Sequence, residues 1–234
     1  MHFLRAIAFL AVGLGVSAGP LARRDTINHD AVVGFPQTVP SGATGQTFLK
    51  FKPWLLVNGG CVPFPAVDAA GNTGGGLRPG GGASSGCSGS TGQVYVRGAW
   101  QGSRYAIMYA WYFPKDGGVV GHRHDWESII VWINNPEVAN PVVQGISTSA
   151  HGNFNTIRSN FPLDGTRPKI RYYTKGVTNF ELTTTSTRGG EQPLIAWDSL
   201  PAAARNALQN TNFGDANVPM RDPNFADNLR EAAF

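Results

Sequence analysis

Residues 105–113 read Tyr-Ala-Ile-Met-Tyr-Ala-Trp-Tyr-Phe, an unbroken apolar and aromatic run without a single charge. At the two-residue period of a β-strand, Ile107, Tyr109, Trp111 and Phe113 share one face, and Ala106, Met108, Ala110 and Tyr112 share the other. A strand that is apolar on both faces has to lie between packed layers, which demands a sheet covered on both sides. Residues 126–133 repeat the requirement: after Trp126, Glu127 and Ser128 the run is apolar on both faces and reads as a second central strand. Between them, the stretch from Pro114 to Gly118 carries turn chemistry and is expected to end the first strand. Further strand candidates lie at 93–97, 146–150, 169–173, 180–185 and 194–197, each bounded by Gly, Pro, Asn or Asp.

Composition agrees with a β-rich fold. Charged residues are 15% of the 234, against roughly 25% in an average domain. Thirty glycines, 16 prolines and 11% aromatics favour loop-rich, aromatic-packed sheets over helical bundles, and 41% hydrophobic content is enough for a core, which excludes disorder. Two helices are expected near the C-terminus. Asp198 and Ser199 can cap a segment with Pro201 in its first turn and an apolar stripe of Leu200, Ala203, Ala204, Ala207 and Leu208. Asp222 and Pro223 repeat the start signal before 225–234. The fold class is therefore all-β with peripheral helices, α+β by content, in one domain over 25–234.

The N-terminus reads as a processing segment. Arg5 precedes an apolar stretch over 6–16 that ends in small residues, the order of a signal peptide over 1–18 with cleavage after Ala18; a buried strand or helix is the alternative. Arg23 and Arg24 then offer a dibasic site that would trim a pro-segment over 19–24. The formal charge of +4 falls to +1 without Arg5, Arg23 and Arg24. A nearly neutral chain argues against nucleic-acid binding, and no later apolar run is long enough for a transmembrane helix. Export places Cys61 and Cys87 in an oxidising compartment, where two cysteines allow one intrachain disulfide. It would close a loop holding most of the ten glycines of 71–92.

The densest polar cluster is Gly121-His122-Arg123-His124-Asp125-Trp126-Glu127. Asp125 and Glu127 are two apart at the start of a strand, so their carboxylates leave from one face. Such a pair repels unless a cation or a proton sits between them. Asp116, in the preceding turn, can add a third carboxylate, and His122 a nitrogen. Three oxygen donors and an imidazole without thiolate favour a hard divalent cation, Mg2+ or Ca2+, with water completing the shell. The residues also admit a surface network in which Asp125 and Glu127 pair with Arg123 and a nearby lysine. His124 and Trp126 read as core or supporting residues, and Arg123 as a solvated charge or a support for the carboxylates.

Residues 106–116 followed by this heptapeptide resemble the signature of the necrosis- and ethylene-inducing-peptide-1-like proteins (NLPs, or NPP1 proteins), and the heptapeptide matches at all seven positions. The likeness extends to 27–33, 49–53, the cysteine pair and 192–195, and so spans essentially the whole mature chain. It implies a secreted, extracellular microbial cytolysin with an actinoporin-like β-sandwich, similar to the type 1 group, expected to be monomeric. It further implies binding to glycosyl inositol phosphoryl ceramide sphingolipids of plant plasma membranes. Membrane damage, and recognition of the 106–127 region by a plant immune receptor, belong to the same implication. The family's metal ligands fall on Asp116, His122, Asp125 and Glu127. The Gly117 to Val120 connection is shorter than the family's usual one.

Two regions are candidates for settling at a membrane surface, where aromatic rings are favourable: residues 174–181 with Phe180, and the surroundings of His151. Two rival readings stand beside the cytolysin. One is a non-toxic sugar-binding or immune-pattern protein on the same scaffold. The other is a cupin-like metalloenzyme using His122, His124 and Glu127, with His151 and Asn155 as a second motif. Among hydrolytic and nucleotide motifs nothing stands out; the glycine-rich 80–86 stretch lacks the lysine and helix of a phosphate loop.

Overall fold

The two apolar runs form the central hairpin of a sheet. In this computed structural model, which describes residues 24–118, 121–174 and 180–234, the elements in chain order are β1 Thr26–Ile27, α1 Ala43–Lys50, β2 Trp54–Asn58, β3 Thr73–Gly74, β4 Val94–Gln101, β5 Arg104–Gly117, β6 Gly121–Ile133, β7 Val143–Ala150, β8 Asn153–Ile157, β9 Leu163–Asp164, β10 Arg167–Thr174, β11 Phe180–Thr184, β12 Leu194–Ala196, α2 Ala202–Asn210 and α3 Asn224–Glu231. The expected signal peptide, all of the pro-segment but Arg24, the end of the 117–120 connection and the centre of 174–181 lie outside the described residues.

A six-stranded sheet runs β12-β4-β5-β6-β7-β8, with β5 and β6 at its centre. A smaller sheet, β11-β10-β2, has β10 parallel to β2 and antiparallel to β11. Rings join the two layers: Phe113 of β5 stacks on Tyr172 of β10 at 3.9 Å and 6°, and Tyr172 stacks in turn on Phe180 at 4.8 Å. Every residue from Ala106 to Phe113 is fully buried, as are Ile129 to Ile133, and each large apolar side chain so buried contributes about 1.5–3 kcal/mol. The arrangement is the expected β-sandwich with peripheral helices. Among the described residues no helix is long and apolar enough to cross a membrane. Cys61 and Cys87 form the expected disulfide.

Several boundaries differ from expectation. The strand containing 105–113 does not stop at Pro114: β5 pairs with β6 as far as Gly117 opposite Gly121. Proline is tolerated because Pro114 lies opposite His124, where the ladder has no pair, and its carbonyl accepts the Leu77 N–H at 2.7 Å instead. Asp198 and Ser199 do not cap α2; they lie in a 3-10 turn over Trp197–Ser199, and α2 starts after Pro201 with no side-chain cap. Leu200, Ala204, Ala207 and Leu208 are buried as expected, whereas Ala203 is exposed. The last helix ends at Glu231 rather than 234, and Asp222 is drawn from a capping role into an ion pair with Arg97 at 2.7 Å. Six elements had no counterpart in the sequence reading: α1, β2, β8 and the two-residue strands β1, β3 and β9.

Candidate functional site

The heptapeptide opens β6, and its side chains are sorted by one backbone irregularity. Asp125 faces Phe113 and Glu127 faces Trp111 across the hairpin, so both carboxylates point towards the layer that holds Tyr172. Strict alternation would turn His122 to the opposite side. His124, however, has φ of 62°, a left-handed conformation uncommon outside glycine. It breaks the parity: Arg123 and His124 both turn to the far side, and His122 comes round to the carboxylates. His124 Nδ1 meets the Tyr112 hydroxyl at 2.7 Å, and Arg123 donates to the Gly75 and Gly76 carbonyls at 2.6 and 3.1 Å.

His122 Nε2 lies 3.5 Å from Asp116 Oδ2, while its Nδ1 is 2.7 Å from the His124 carbonyl. Because that carbonyl can only accept, Nδ1 carries a proton, and Nε2 is the nitrogen turned to the carboxylates. Asp116 Oδ1 accepts the Phe180 N–H at 2.9 Å, Asp125 Oδ2 accepts the Tyr172 hydroxyl at 2.9 Å, and Glu127 accepts the Ser149 hydroxyl. Asp116, Asp125 and Glu127 are 2%, 7% and 6% exposed, yet among the described residues no lysine or arginine pairs with any of them. Lys115 is spent on the Gly80 and Gly82 carbonyls at 3.2 and 3.1 Å. Among the described residues, the alternative network of Asp125 and Glu127 with Arg123 and a nearby lysine is therefore not formed.

Three buried carboxylates with no lysine or arginine partner among the described residues are electrostatically expensive. Burial raises Asp116, Asp125 and Glu127 alike. Asp125 reaches about 7, with the Asp116 charge adding to burial, and Glu127 goes well above its ordinary value, with Asp125 adding. His124 is pushed the other way, to about 4, by burial and then by Arg123 and His122. An all-oxygen set with one imidazole suits a hard divalent ion. Among the described residues no three of these ligands are yet drawn to a common point as a finished shell.

The site opens into a pocket of about 540 Å³ lined by Asp116, His122, Asp125 and Glu127 on one side. Topology creates it. β7 pairs with β6 only from Ile129 onward, so 121–128 has no strand partner on that side, although the Ser128 N–H is met by the Ser149 hydroxyl at 2.9 Å. Gly121 closes the hairpin tip where a Cβ would stand 2.0 Å from the Asp116 carbonyl oxygen. His151, exposed in the β7–β8 turn, lines the pocket and lies 3.2 Å from Glu181, which also accepts the Tyr173 hydroxyl at 2.7 Å. Phe180 is not at a loop tip: it is 5% exposed, begins β11 and packs on Tyr172, so a membrane-facing role for its ring is corrected to a core one. Trp126 packs among Tyr95, Tyr112 and Phe213. With His124 turned to Tyr112, the cupin-like set of His122, His124 and Glu127 does not converge.

The residues missed in sequence are those that hold or face the carboxylates from other elements. Ser149 and Tyr172 sit in strands whose own patterns give no hint of a polar partner, and the opposite pocket wall comes from α3 and the segment before it.

The profile of the necrosis inducing protein (NPP1) family matches residues 45–232. The chain belongs to the NPP1 family. NLP effector protein 10 of Phytophthora capsici is 49% identical over 219 residues, covering 91% of this chain and 93% of that protein. Among solved structures, a non-toxic protein, HaNLP3, superposes with a TM-score of 0.84 at 42% identity, over 88% of this chain and 98% of its own. NLPPya in complex with glucosamine gives a TM-score of 0.83 at 44% identity, over 89% and 99%, and a companion structure holds mannosamine. In NPP1 terms, the matched region contains the β5–β6 hairpin, the carboxylate site and the whole pocket.

Proposed function

We propose that this NPP1 protein is a secreted cytolysin that works by binding and not by breaking bonds. It takes the glycosylated headgroup of plant glycosyl inositol phosphoryl ceramide at the 540 Å³ pocket. Asp116, His122, Asp125 and Glu127 would hold a divalent cation, Mg2+ or Ca2+. When bound, the ion supplies positive charge and open sites for sugar hydroxyl oxygens. The observation that carries this reading is the row of buried carboxylates that, among the described residues, have no lysine or arginine partner. Tyr172 and Ser149 orient Asp125 and Glu127, the Phe180 N–H holds Asp116, and His122 turns its Nε2 to the same side as Asp116. The complexes of NLPPya with two amino sugars support a glycan as ligand. Liposomes containing plant glycosyl inositol phosphoryl ceramide should leak with protein and Mg2+ or Ca2+ and stay sealed with EDTA; leakage indifferent to EDTA overturns the reading.

A second reading is a non-toxic glycan-binding or immune-pattern protein, favoured by the non-toxic relative with the same fold. Leaf infiltration separates the two, since necrosis belongs to the first alone. Recognition of 106–127 by a plant receptor carries a structural condition under either reading. Ala106 to Phe113 are fully buried, so the segment would be seen only after the hairpin is released from the fold.

A further inference from the structure

We propose that the pocket contains a second saccharide subsite, on the wall opposite the carboxylates, selective for neutral or amino sugars. This rests on the glycan reading above and extends it from one sugar to at least two. The pocket of about 540 Å³ falls within the roughly 300–1,000 Å³ of sites that enclose ligands of several hundred daltons, which is the size of a disaccharide and not of one ion-bound hexose.

The far wall has the chemistry of hydroxyl recognition. Asn224 and Asn228 are one helical turn apart on α3 and therefore share a face. Asn224 donates its amide to the Val218 carbonyl at 3.2 Å, and Asn228 donates to the Pro219 carbonyl at 3.1 Å. Both partners are carbonyls, so the amide orientation is fixed by chemistry and each Oδ1 stays available as an acceptor. Asn217, on the same wall, has the reverse commitment: its Oδ1 accepts from Arg221 at 3.3 Å, which leaves its Nδ2 as a donor. Held acceptors beside a held donor match the paired donor and acceptor character of adjacent sugar hydroxyls. The pocket runs beside the stretch of β6 that β7 does not pair, so a ligand reaching from the carboxylates to α3 crosses it.

Charge sets the selectivity. Among the described residues no lysine or arginine lines the pocket, whereas Asp215 and Asp227 do. Asp227 is partnered by Arg230. A uronate, sulfate or phosphate on the second sugar would meet Asp215 and Asp227 in that wall, where Arg230 is already committed to Asp227 and Arg221 to Asn217. The phosphate of a headgroup therefore stays outside, and the sugars distal to it enter.

The test is calorimetric titration, with Mg2+ and again in EDTA, of glucosamine, of its β-1,4-linked disaccharide and of a disaccharide ending in glucuronate. The amino disaccharide should bind about tenfold tighter than glucosamine, the sum of two or three neutral hydrogen bonds, and the glucuronate analogue should show no such gain. Asn224→Ala or Asn228→Ala should erase the gain. Because those amides also anchor residues 218 and 219, Asn217→Ala is the second variant, and side-chain amide NMR signals of the wild-type protein give a reading without mutation: Asn217, Asn224 and Asn228 should shift with the disaccharide and not with glucosamine. Glucosamine binding with no gain and no such shifts overturns the subsite and leaves the cation-site reading standing. Disaccharide binding with those shifts but indifferent to Mg2+ supports the subsite and removes the cation reading. No binding of any of the sugars overturns both.

Discussion

Asp116 and His122 face each other across the next-to-last pair of the β5–β6 hairpin, with His122 Nε2 3.5 Å from Asp116 Oδ2. The approach depends on the missing side chain at Gly121, since a Cβ there would stand 2.0 Å from the Asp116 carbonyl oxygen. Gly121→Ala must move that backbone, at a cost above the ~1 kcal/mol of an ordinary glycine replacement, and should both lower the melting temperature and weaken Mg2+ binding. Calorimetric titration alongside thermal denaturation checks the pair; unchanged ion affinity would show that the hairpin tip does not set the ligand geometry.

The pH dependence of the metal-free protein follows from the raised carboxylates. Asp125 keeps its proton in the folded state up to about pH 7, whereas the unfolded chain releases it near pH 4. Between those values the folded state binds more protons, so stability is greatest at the acid end and falls as pH rises through the window. Asp116 and Glu127 act in the same sense. His124 opposes them, because its folded value of about 4 lies below the ordinary ~6.5 and its contribution is lost as pH falls. Three acids outweigh one imidazole, and above about pH 6.5 the acids act alone. Melting curves in EDTA should therefore shift down between pH 6.5 and 8, and Mg2+ or Ca2+ should reverse the shift. A midpoint that is flat or rises over that range contradicts the prediction.

The glycine-rich loop is tied to the back of the site by three devices. Cys61 and Cys87 are 26 residues apart in sequence, and closing a loop of that length stabilises the fold by on the order of 3 kcal/mol. Lys115, only 2% exposed, holds the Gly80 and Gly82 carbonyls, and Arg123 holds those of Gly75 and Gly76. Lys115→Met keeps the buried stem but removes a charged donor, at a cost of about 1.5–3 kcal/mol. Urea titration of this variant should show a lowered midpoint with an unchanged slope. An unaltered midpoint would mean the carbonyls find other donors.

The central hairpin was legible because its signal is local: apolar on both faces over 105–113 and 129–133, which only a covered sheet accommodates. The same rule placed Asp125 and Glu127 on one side. It failed at His122, whose side is decided by the left-handed backbone of His124, and at Pro114, where turn chemistry was overridden because the ladder has no pair there for proline to spoil. β2 escaped notice because Trp54 to Asn58 becomes a strand by pairing with Lys169 to Tyr173, more than a hundred residues away, and α1 has a short periodic pattern and no side-chain cap. Ser149, Tyr172 and the Asn217, Asn224 and Asn228 wall reach the pocket from four separate elements, so no single stretch of sequence announces them.

The central claim is that these carboxylates hold a hard divalent ion, and isothermal titration of Mg2+ and Ca2+ into EDTA-treated protein tests it most directly, with Asp125→Asn as the comparison. That variant keeps an oxygen for the Tyr172 hydroxyl while removing a buried charge. The account predicts saturable one-to-one binding by the wild-type protein, loss of binding in Asp125→Asn, and a metal-free melting temperature for the variant at pH 8 above that of the wild type. Equal ion binding by both proteins, or none by the wild type, would contradict it.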